Sequence, residues 1–359
     1  MVGKTVNVGL VGYGLGGRVF HAPLVELSEG LRLSAICSRS EERRSQASDK
    51  HPGVDIYAEY DALLADPCID LVILATPHDT HAPMAIQAMD AGKHLVTDKV
   101  MCLSEAEGVE MIEASMRNQV VLSVFQNRRW DGDFLTLQDL MEQQALGEIH
   151  TVESNITTFG GPHSGWRAWK AHGGGRTRDW GAHLVDQALQ LFGPTVETVF
   201  ADHQYRYPAG ESDVESTCLC LLRFAGGVRV LIELGSAWAF PKPRFDVRGS
   251  SGQFRKYGVD PQEDALKMGV AGVPIPEDVG RYQLKIRAAE GGLRDAPVKP
   301  VCGAYRKYYD NIAGVLLDGA DLLVRPVEAL EAVRVIDAIV ASAETGEVIR
   351  LTGERKETQ

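Results

Sequence analysis

The stretch that most restricts what this chain can become stands near its start. Val6-Asn7-Val8-Gly9-Leu10-Val11 runs directly into Gly12-Tyr13-Gly14-Leu15-Gly16-Gly17. The first six residues are largely apolar and β-branched, and they read as a buried strand. The next six match G-x-G-x-x-G, and a helix can begin immediately after them. Each glycine answers a physical need. Gly12 permits the tight turn, Gly14 lets a pyrophosphate approach the backbone, and Gly17 lets the helix pack closely on the strand. The free N–H groups of the helix start, with the helix dipole behind them, then favour phosphate. A second strand, Leu31 to Cys37, follows at the spacing of a βαβ unit. Strand, glycine turn, helix and strand together predict a dinucleotide-binding turn, with Gly12, Tyr13, Gly14, Leu15 and Gly17 against the ligand.

The chain has 359 residues, enough for two domains with separate cores. Strand and helix signals alternate up to residue 126, including a helix over Glu41–Lys50 and a buried strand over Ile69–Ala75. A further helix follows Ser104, with Glu107 three residues on as its capping partner. Such alternation implies a mostly parallel sheet covered on both faces, a Rossmann domain over residues 1–126. After it the character changes. A long strand (Ile149–Phe159), a glycine- and aromatic-rich loop and a helix (Trp180–Phe192) lead into successive strands. One pair of these is joined by a hairpin at Gly226-Gly227. An α+β domain on a mostly antiparallel open sheet is expected over residues 127–359. Residues 258–303 read as irregular, and two helices (Tyr305–Leu317 and Val327–Thr345) close the chain. The last of these is a candidate to pack back on the first domain.

A net charge of −12 argues against nucleic acid and against an anionic membrane as partners. No apolar run approaches the length of a membrane span, and the opening residues lead into a strand rather than a leader. The six cysteines form no C-x-x-C pair, and Cys218 and Cys220 share one face of a strand. These features predict a cytoplasmic protein with reduced thiols and no metal site.

Four clusters bear on chemistry. The second strand ends in Cys37-Ser38-Arg39-Ser40, with no acidic residue to hold a ribose 2′-hydroxyl. Arg39 between serines suits a 2′-phosphate, so NADP(H) is expected in preference to NAD(H). Thr76-Pro77-His78-Asp79-Thr80-His81 stands at the carboxyl end of a parallel strand, where ligands bind in such sheets. Thr76 and Pro77 are therefore candidate cofactor contacts, and His78 and His81 are candidates beside them, though a lone histidine such as His81 is by default a first-turn helix residue with no role. Asp98-Lys99 lies just beyond another buried strand, and an ammonium there can stabilise a developing alkoxide. Asp179 and His183, four apart at a helix start, share one face. The carboxylate orients the ring, and the ring's ordinary pKa lies nearest neutrality. Taken alone, an Asp-His pair of this spacing is more often a helix-start capping pair than a catalytic one.

These stretches together resemble the Gfo/Idh/MocA family, named for glucose–fructose oxidoreductase and inositol dehydrogenase. The resemblance spans essentially the whole chain. It rests on the glycine turn, Thr76-Pro77 with His81, Ala91-Gly92-Lys93-His94 through Lys99, and Asp179-Trp180-Gly181-Ala182-His183. Gly16-Gly17-Arg18-Val19-Phe20-His21-Ala22-Pro23, Gln126-Asn127-Arg128-Arg129-Trp130-Asp131 and Tyr257 through Asp264 are similar to the branch containing NADP-dependent scyllo-inositol dehydrogenases. The resemblance implies Lys99, Asp179 and His183 as the catalytic set. It also implies Asp98, Gln126, Trp166 and Arg167 beside the cofactor, and Arg128 beside substrate or nicotinamide. A polyol or sugar substrate and a homodimer or homotetramer are expected on the same ground. Two positions depart from the family pattern. Val100 replaces the proline that usually follows the lysine, and His78 replaces a usual asparagine. Two other activities fit the same residues: an NAD(P)-dependent sugar hydrolase or epimerase with transient oxidation, and a non-catalytic NADP or sugar sensor.

Overall fold

The structure, a computed structural model, describes residues 4–208, 210–276 and 278–351. Six strands form the first sheet: β1 (Val6–Val11), β2 (Leu31–Cys37), β3 (Asp55–Tyr57), β4 (Leu71–Leu74), β5 (His94–Thr97) and β6 (Leu122–Val124). All neighbours pair in parallel, in the order β3-β2-β1-β4-β5-β6. This is the doubly wound order in which the chain reverses direction at β1, and the reversal opens a crevice at the strands' carboxyl ends. The connecting helices are α1 (Ala22–Leu27), α2 (Glu41–Lys50), α3 (Tyr60–Leu64), α4 (His81–Asp90) and α5 (Glu105–Arg117). Ser104 caps α5 as expected, accepting from the Glu107 N–H. Glu107 returns its carboxylate to the N–H of Leu103.

Nine strands form the second sheet: β7 (Ile149–Thr157), β8 (Val196–Gln204), β9 (Thr217–Phe224), β10 (Arg229–Gly235), β11 (Phe245–Gly249), β12 (Gly252–Lys256), β13 (Tyr282–Arg287), β14 (Leu293–Ala296) and β15 (Ile349–Arg350). Their order is β14-β13-β12-β11-β7-β10-β9-β8-β15, antiparallel except for β7 beside β10. The remaining helices are α6 (Gly132–Glu142), α7 (Arg176–Phe192), α8 (Gln262–Lys267), α9 (Arg306–Asp318) and α10 (Pro326–Thr345). A parallel-sheet domain followed by a mostly antiparallel one is the predicted fold class.

The described residues fall into two compact units. The first lies within Met1–Gly132, Asp260–Pro276 and Cys302–Leu330, and the second within Asp133–Val259, Glu277–Val301 and Glu331–Gln359. The expected division after residue 126 thus misses two later segments that join the first unit. Side chains at the end of the first sheet explain why. Arg128 pairs with Glu263 of α8 and donates to Tyr305 ahead of α9 at 3.1 Å. Asp260 accepts the Gly132 N–H, Tyr308 donates to Ser123 of β6, and Ser123 donates to the Val324 carbonyl. Residues 258–303 also depart from the irregular reading, since they contain α8, β13 and β14. In β13 Tyr282 and Leu284 point inward between exposed Gln283 and Lys285. That period of two is present in the sequence, hidden among glycines and prolines on either side.

Within the second unit a buried carboxylate ties α6 to the sheet. Asp133 is fully buried, 3.8 Å from Arg244 and 3.6 Å from the equally buried Lys256. Removing one partner from such a group typically costs about 3–5 kcal/mol, because the remaining charges stay desolvated.

Candidate functional site

The first unit gathers most of the predicted cofactor residues at the carboxyl ends of β1, β4 and β5. Gly12 takes a φ of +96°, a region that L side chains rarely adopt. A Cβ there would collide with the Ala75 carbonyl, and a Cβ at Gly17 would collide with the Gly12 carbonyl. Gly14 differs. Its Cβ position is open except for the Arg43 guanidinium, which would lie 2.8 Å away. The turn is therefore closed on its inner side by backbone and faced on its outer side by a cation. Leu15 is exposed at this turn.

Tyr13 corrects a simple reading of the motif. Its ring is buried, and its hydroxyl pairs with His51 Nε2 at 2.8 Å, while His51 Nδ1 meets Glu26 at 2.6 Å. Only its backbone is left for a ligand. At the end of β2, Ser38 is buried and Arg39 is exposed. Ser40 caps α2, and Arg44 closes the loop by donating to the Ser38 and Arg39 carbonyls, each at 2.9 Å. Arg39 and Arg43 are thus the cations of this loop that face outward. Sequence reasoning passed over Arg43, although a basic residue in the first turn after β2 is a legible signal.

The Thr76 segment is braced from below. Thr80 donates to the Thr76 hydroxyl at 2.7 Å. The ring of His78 is buried against that of His81. His81 is fully buried, its ring nitrogens 3.1 Å from the Thr76 carbonyl and 2.8 Å from the Val100 carbonyl. Burial holds its pKa down, against the charge of Asp98 and the two carbonyls. His81 therefore clamps the Thr76 loop to the Lys99–Val100 corner. Pro77 is half-buried at the start of the same turn, its carbonyl accepting from the Thr80 N–H.

At that corner the Asp98 carboxylate accepts the Lys99 N–H at 2.8 Å and lies 3.7 Å from His21 Nε2. Burial alone would raise the Asp98 pKa. His21, Lys99 and His81 outweigh that and hold the carboxyl well below its usual range. Lys99 is half-buried and follows a cis peptide arrangement into Val100. Gln126, at the end of β6, is buried, and its Oε1 has no hydrogen-bond partner among the described residues. Arg128 is buried and paired with Glu263, Asp131 and Tyr305, so it braces these segments together.

The second unit holds the other predicted residues around the start of α7. This helix begins at Arg176, four residues before the expected start, so Asp179 sits in its first turn with His183 one turn on. The triple glycine is explained locally. Gly175 has a φ of +101°, and a Cβ there would meet the Glu215 carboxylate. Glu215 caps the helix instead of a residue of the preceding loop, accepting the Thr177 N–H at 2.6 Å. A Cβ at Gly174 would collide with the Arg167 carbonyl, so the loop carrying Trp166 and Arg167 folds directly over the helix start. The Arg167 guanidinium stacks on the Trp166 ring at 4.4 Å, and its Nε lies 3.9 Å from Asp179. His183 is buried beside the Trp180 ring. His163, which sequence reasoning passed over, lies among the charges of Asp179, Arg176, Arg167 and Glu215. Its burial lowers its pKa, which Asp179 opposes and the two arginines reinforce. Nothing in the pattern around it marks it out.

The residues of the first unit suit a dinucleotide. The inner wall of the turn excludes side chains, the outer wall offers backbone N–H groups and a guanidinium, and a buried amide oxygen at Gln126 awaits a donor. A cavity of about 200 Å³ lies elsewhere in this unit, lined by Leu24, Leu266, Val270, Ile275 and Tyr305. None of the predicted site residues lines it. Among the described residues no group of His, Cys, Asp or Glu is placed to hold a metal ion, and no helix is long and apolar enough to cross a membrane.

The chain is similar to known proteins over nearly its whole length. Residues 6–126 match the oxidoreductase family with an NAD-binding Rossmann fold, and residues 134–255 match the GFO/IDH/MocA C-terminal domain. The uncharacterized oxidoreductase YdgJ of Escherichia coli is 36% identical over 347 residues, 95% of this chain and 96% of that protein. The scyllo-inositol 2-dehydrogenase (NADP(+)) IolW of Bacillus subtilis is 32% identical over 355 residues, 97% of this chain and 96% of that one. The solved structure of yvaA from Bacillus subtilis superposes with a TM-score of 0.90 at 30% identity, covering 97% of this chain and 99% of the other.

If the inner and outer walls of the turn have these separate roles, two substitutions should part company. Gly17→Ala should lower stability by about 1–3 kcal/mol in urea unfolding, since its Cβ meets fixed backbone. Gly14→Ala should fold normally yet weaken NADPH binding in a fluorescence titration. Equal stability losses in both would contradict the assignment.

Proposed function

The chain belongs to the Gfo/Idh/MocA family of oxidoreductases, and from that premise we propose that it is an NADP(H)-dependent dehydrogenase of a cyclic polyol or sugar, with an inositol as the substrate class. The observation that carries the cofactor half is the edge of β2. No carboxylate stands between Cys37 and Ser40, Arg39 is exposed, and the Arg43 guanidinium faces Gly14. A 2′-phosphate suits two guanidiniums and a ribose diol does not. The substrate half draws support from IolW, whose name couples NADP(+) to scyllo-inositol.

The nicotinamide, when bound, accepts or returns the hydride. The chain supplies charge and proton transfer. A ring nitrogen of His183 takes the hydroxyl proton as a secondary alcohol is oxidised, and Asp179 orients that ring and stabilises its charged form. The Lys99 ammonium meets the negative charge that grows on the substrate oxygen. Gly14 faces the pyrophosphate on the open side of the turn that Gly12 and Gly17 close, with Thr76, Pro77 and Gln126 along the nicotinamide half. The working protein is a cytoplasmic homodimer or homotetramer in this reading.

A panel of inositols, sugars and linear polyols read by NADPH absorbance tests the proposal, and activity confined to non-cyclic or non-hydroxylated compounds would sink it. Arg39→Ala and Arg43→Ala should each weaken NADPH about 10- to 100-fold, the worth of a charged hydrogen bond, and NADH far less. Equal losses for both cofactors would overturn the 2′-phosphate assignment. Lys99→Met should lower kcat by about a thousandfold or more while the Kd for NADPH stays nearly constant. Normal residual turnover with lost NADPH affinity would remove Lys99 from the chemistry.

A further inference from the structure

The segment Gly16-Gly17-Arg18-Val19-Phe20-His21 belongs to the motif just after the glycine turn, and the cofactor reading leaves its last residue unused. It folds as a π-helical turn, closed by the Ala22 N–H on the Gly17 carbonyl five residues back. The extra residue in this turn rotates His21 inward, and wide turns of this type are frequent at functional sites. The ring ends fully buried, packed on Phe125 with centroids 4.4 Å apart. Its Nδ1 lies 2.6 Å from the Tyr309 hydroxyl, and its Nε2 lies 3.7 Å from Asp98 Oδ2.

The chemistry of these contacts limits the ring's state. If Tyr309 donates to Nδ1, the ring proton stands on Nε2 and points at the carboxylate. If the ring is doubly protonated, Nε2 again carries a proton toward Asp98. The remaining tautomer would aim a lone pair at an anion, which is unfavourable. Both favourable states therefore place an N–H at Nε2 within ion-pair distance of the carboxylate, beyond hydrogen-bond length, so the hold is electrostatic. The other oxygen of that carboxylate accepts the Lys99 N–H at 2.8 Å. A Cβ at Gly16 would come within 3.1 Å of Asp98 Oδ2, so the glycine leaves room for the carboxylate to sit there. A chain of contacts thus runs from Tyr309 through His21 and Asp98 to the backbone of Lys99.

We propose that His21, held by Tyr309, is a positioning residue for Lys99: it holds the Asp98 carboxylate in place, which fixes the lysine's peptide N–H and hence the point on the loop from which its side chain starts. This rests on the dehydrogenase reading for its consequence in turnover, though not for the coupling itself. Groups that support a reacting side chain act by holding it within a narrow geometry, and small misplacements cost large factors in rate.

The test compares His21→Leu, Tyr309→Phe and His21→Gln with the wild-type protein. Glutamine keeps an N–H donor near the position of Nε2, and Tyr309→Phe removes one oxygen atom, so it carries the test if the leucine variant does not fold. The first readout is the acetylation rate of the Lys99 amine by an N-hydroxysuccinimide ester, followed by mass spectrometry of the apo protein, with exposed Lys50 as internal reference. The second is kcat per NADPH-binding site, with sites counted by fluorescence titration. Lys99 labelling should rise about threefold or more in the leucine and phenylalanine variants and return toward wild type in the glutamine variant. Turnover per site should fall about 10- to 100-fold in His21→Leu and less in Tyr309→Phe, with NADPH affinity nearly unchanged. Unchanged Lys99 labelling in the folded variants overturns the positioning role. Altered labelling in a protein that turns over no polyol upholds the coupling and overturns the dehydrogenase reading instead.

Discussion

The contact on which the first unit depends is backbone against backbone. Gly12 lies so close to the Ala75 carbonyl, and Gly17 to the Gly12 carbonyl, that no side chain fits at either place. That closeness follows from β1 and β4 being neighbours in a parallel sheet at the point where strand order reverses. It brings the first helix of the unit over the end of β1 and turns its N–H groups toward the crevice. Everything proposed for cofactor binding then follows from which side chains stand around that turn: Arg39 and Arg43 on one side, Asp98 and Lys99 on the other.

Buried polar groups do a second kind of work in this chain, since they hold loops to the places where chemistry is expected. His81 spans two carbonyls to join the Thr76 and Val100 segments. Glu215 caps the helix that carries Asp179 and His183. Arg128 draws α8 and the start of α9 onto the first sheet. Each such group would be costly if left unpaired, so each fixes its partners more firmly than an apolar contact of the same area would. Three residues read from sequence as ligand contacts, Tyr13, His81 and Arg128, belong to this supporting class.

The difference between what is legible in the sequence and what is not follows the same line. The glycine turn, the parallel strands and the Ser104 cap are local, set by residue type and spacing, and the chain alone announces them. So are the absence of an acid between Cys37 and Ser40 and the presence of Arg39. By contrast, Tyr13 and His81 occupy motif positions, and only the tertiary partners His51, Thr76 and Val100 reveal that their side chains turn inward. Arg43 and His163 go unnoticed because a single charged or titratable residue in a helix turn or loop has no periodic signature. The return of residues 260–276 and 302–330 to the first unit is likewise invisible locally, since it depends on pairs separated by more than a hundred residues.

The proposed movement of a hydride between a polyol carbon and the nicotinamide can be followed by isotopic transfer. An inositol carrying deuterium on its ring carbons would be incubated with NADP+, and the reduced nucleotide analysed by mass spectrometry and NMR. One deuterium should appear on the nicotinamide ring for each ketone formed if the proposal holds. Ketone formed without label in the nucleotide, or consumption of the inositol with no net reduction of NADP+, would contradict it.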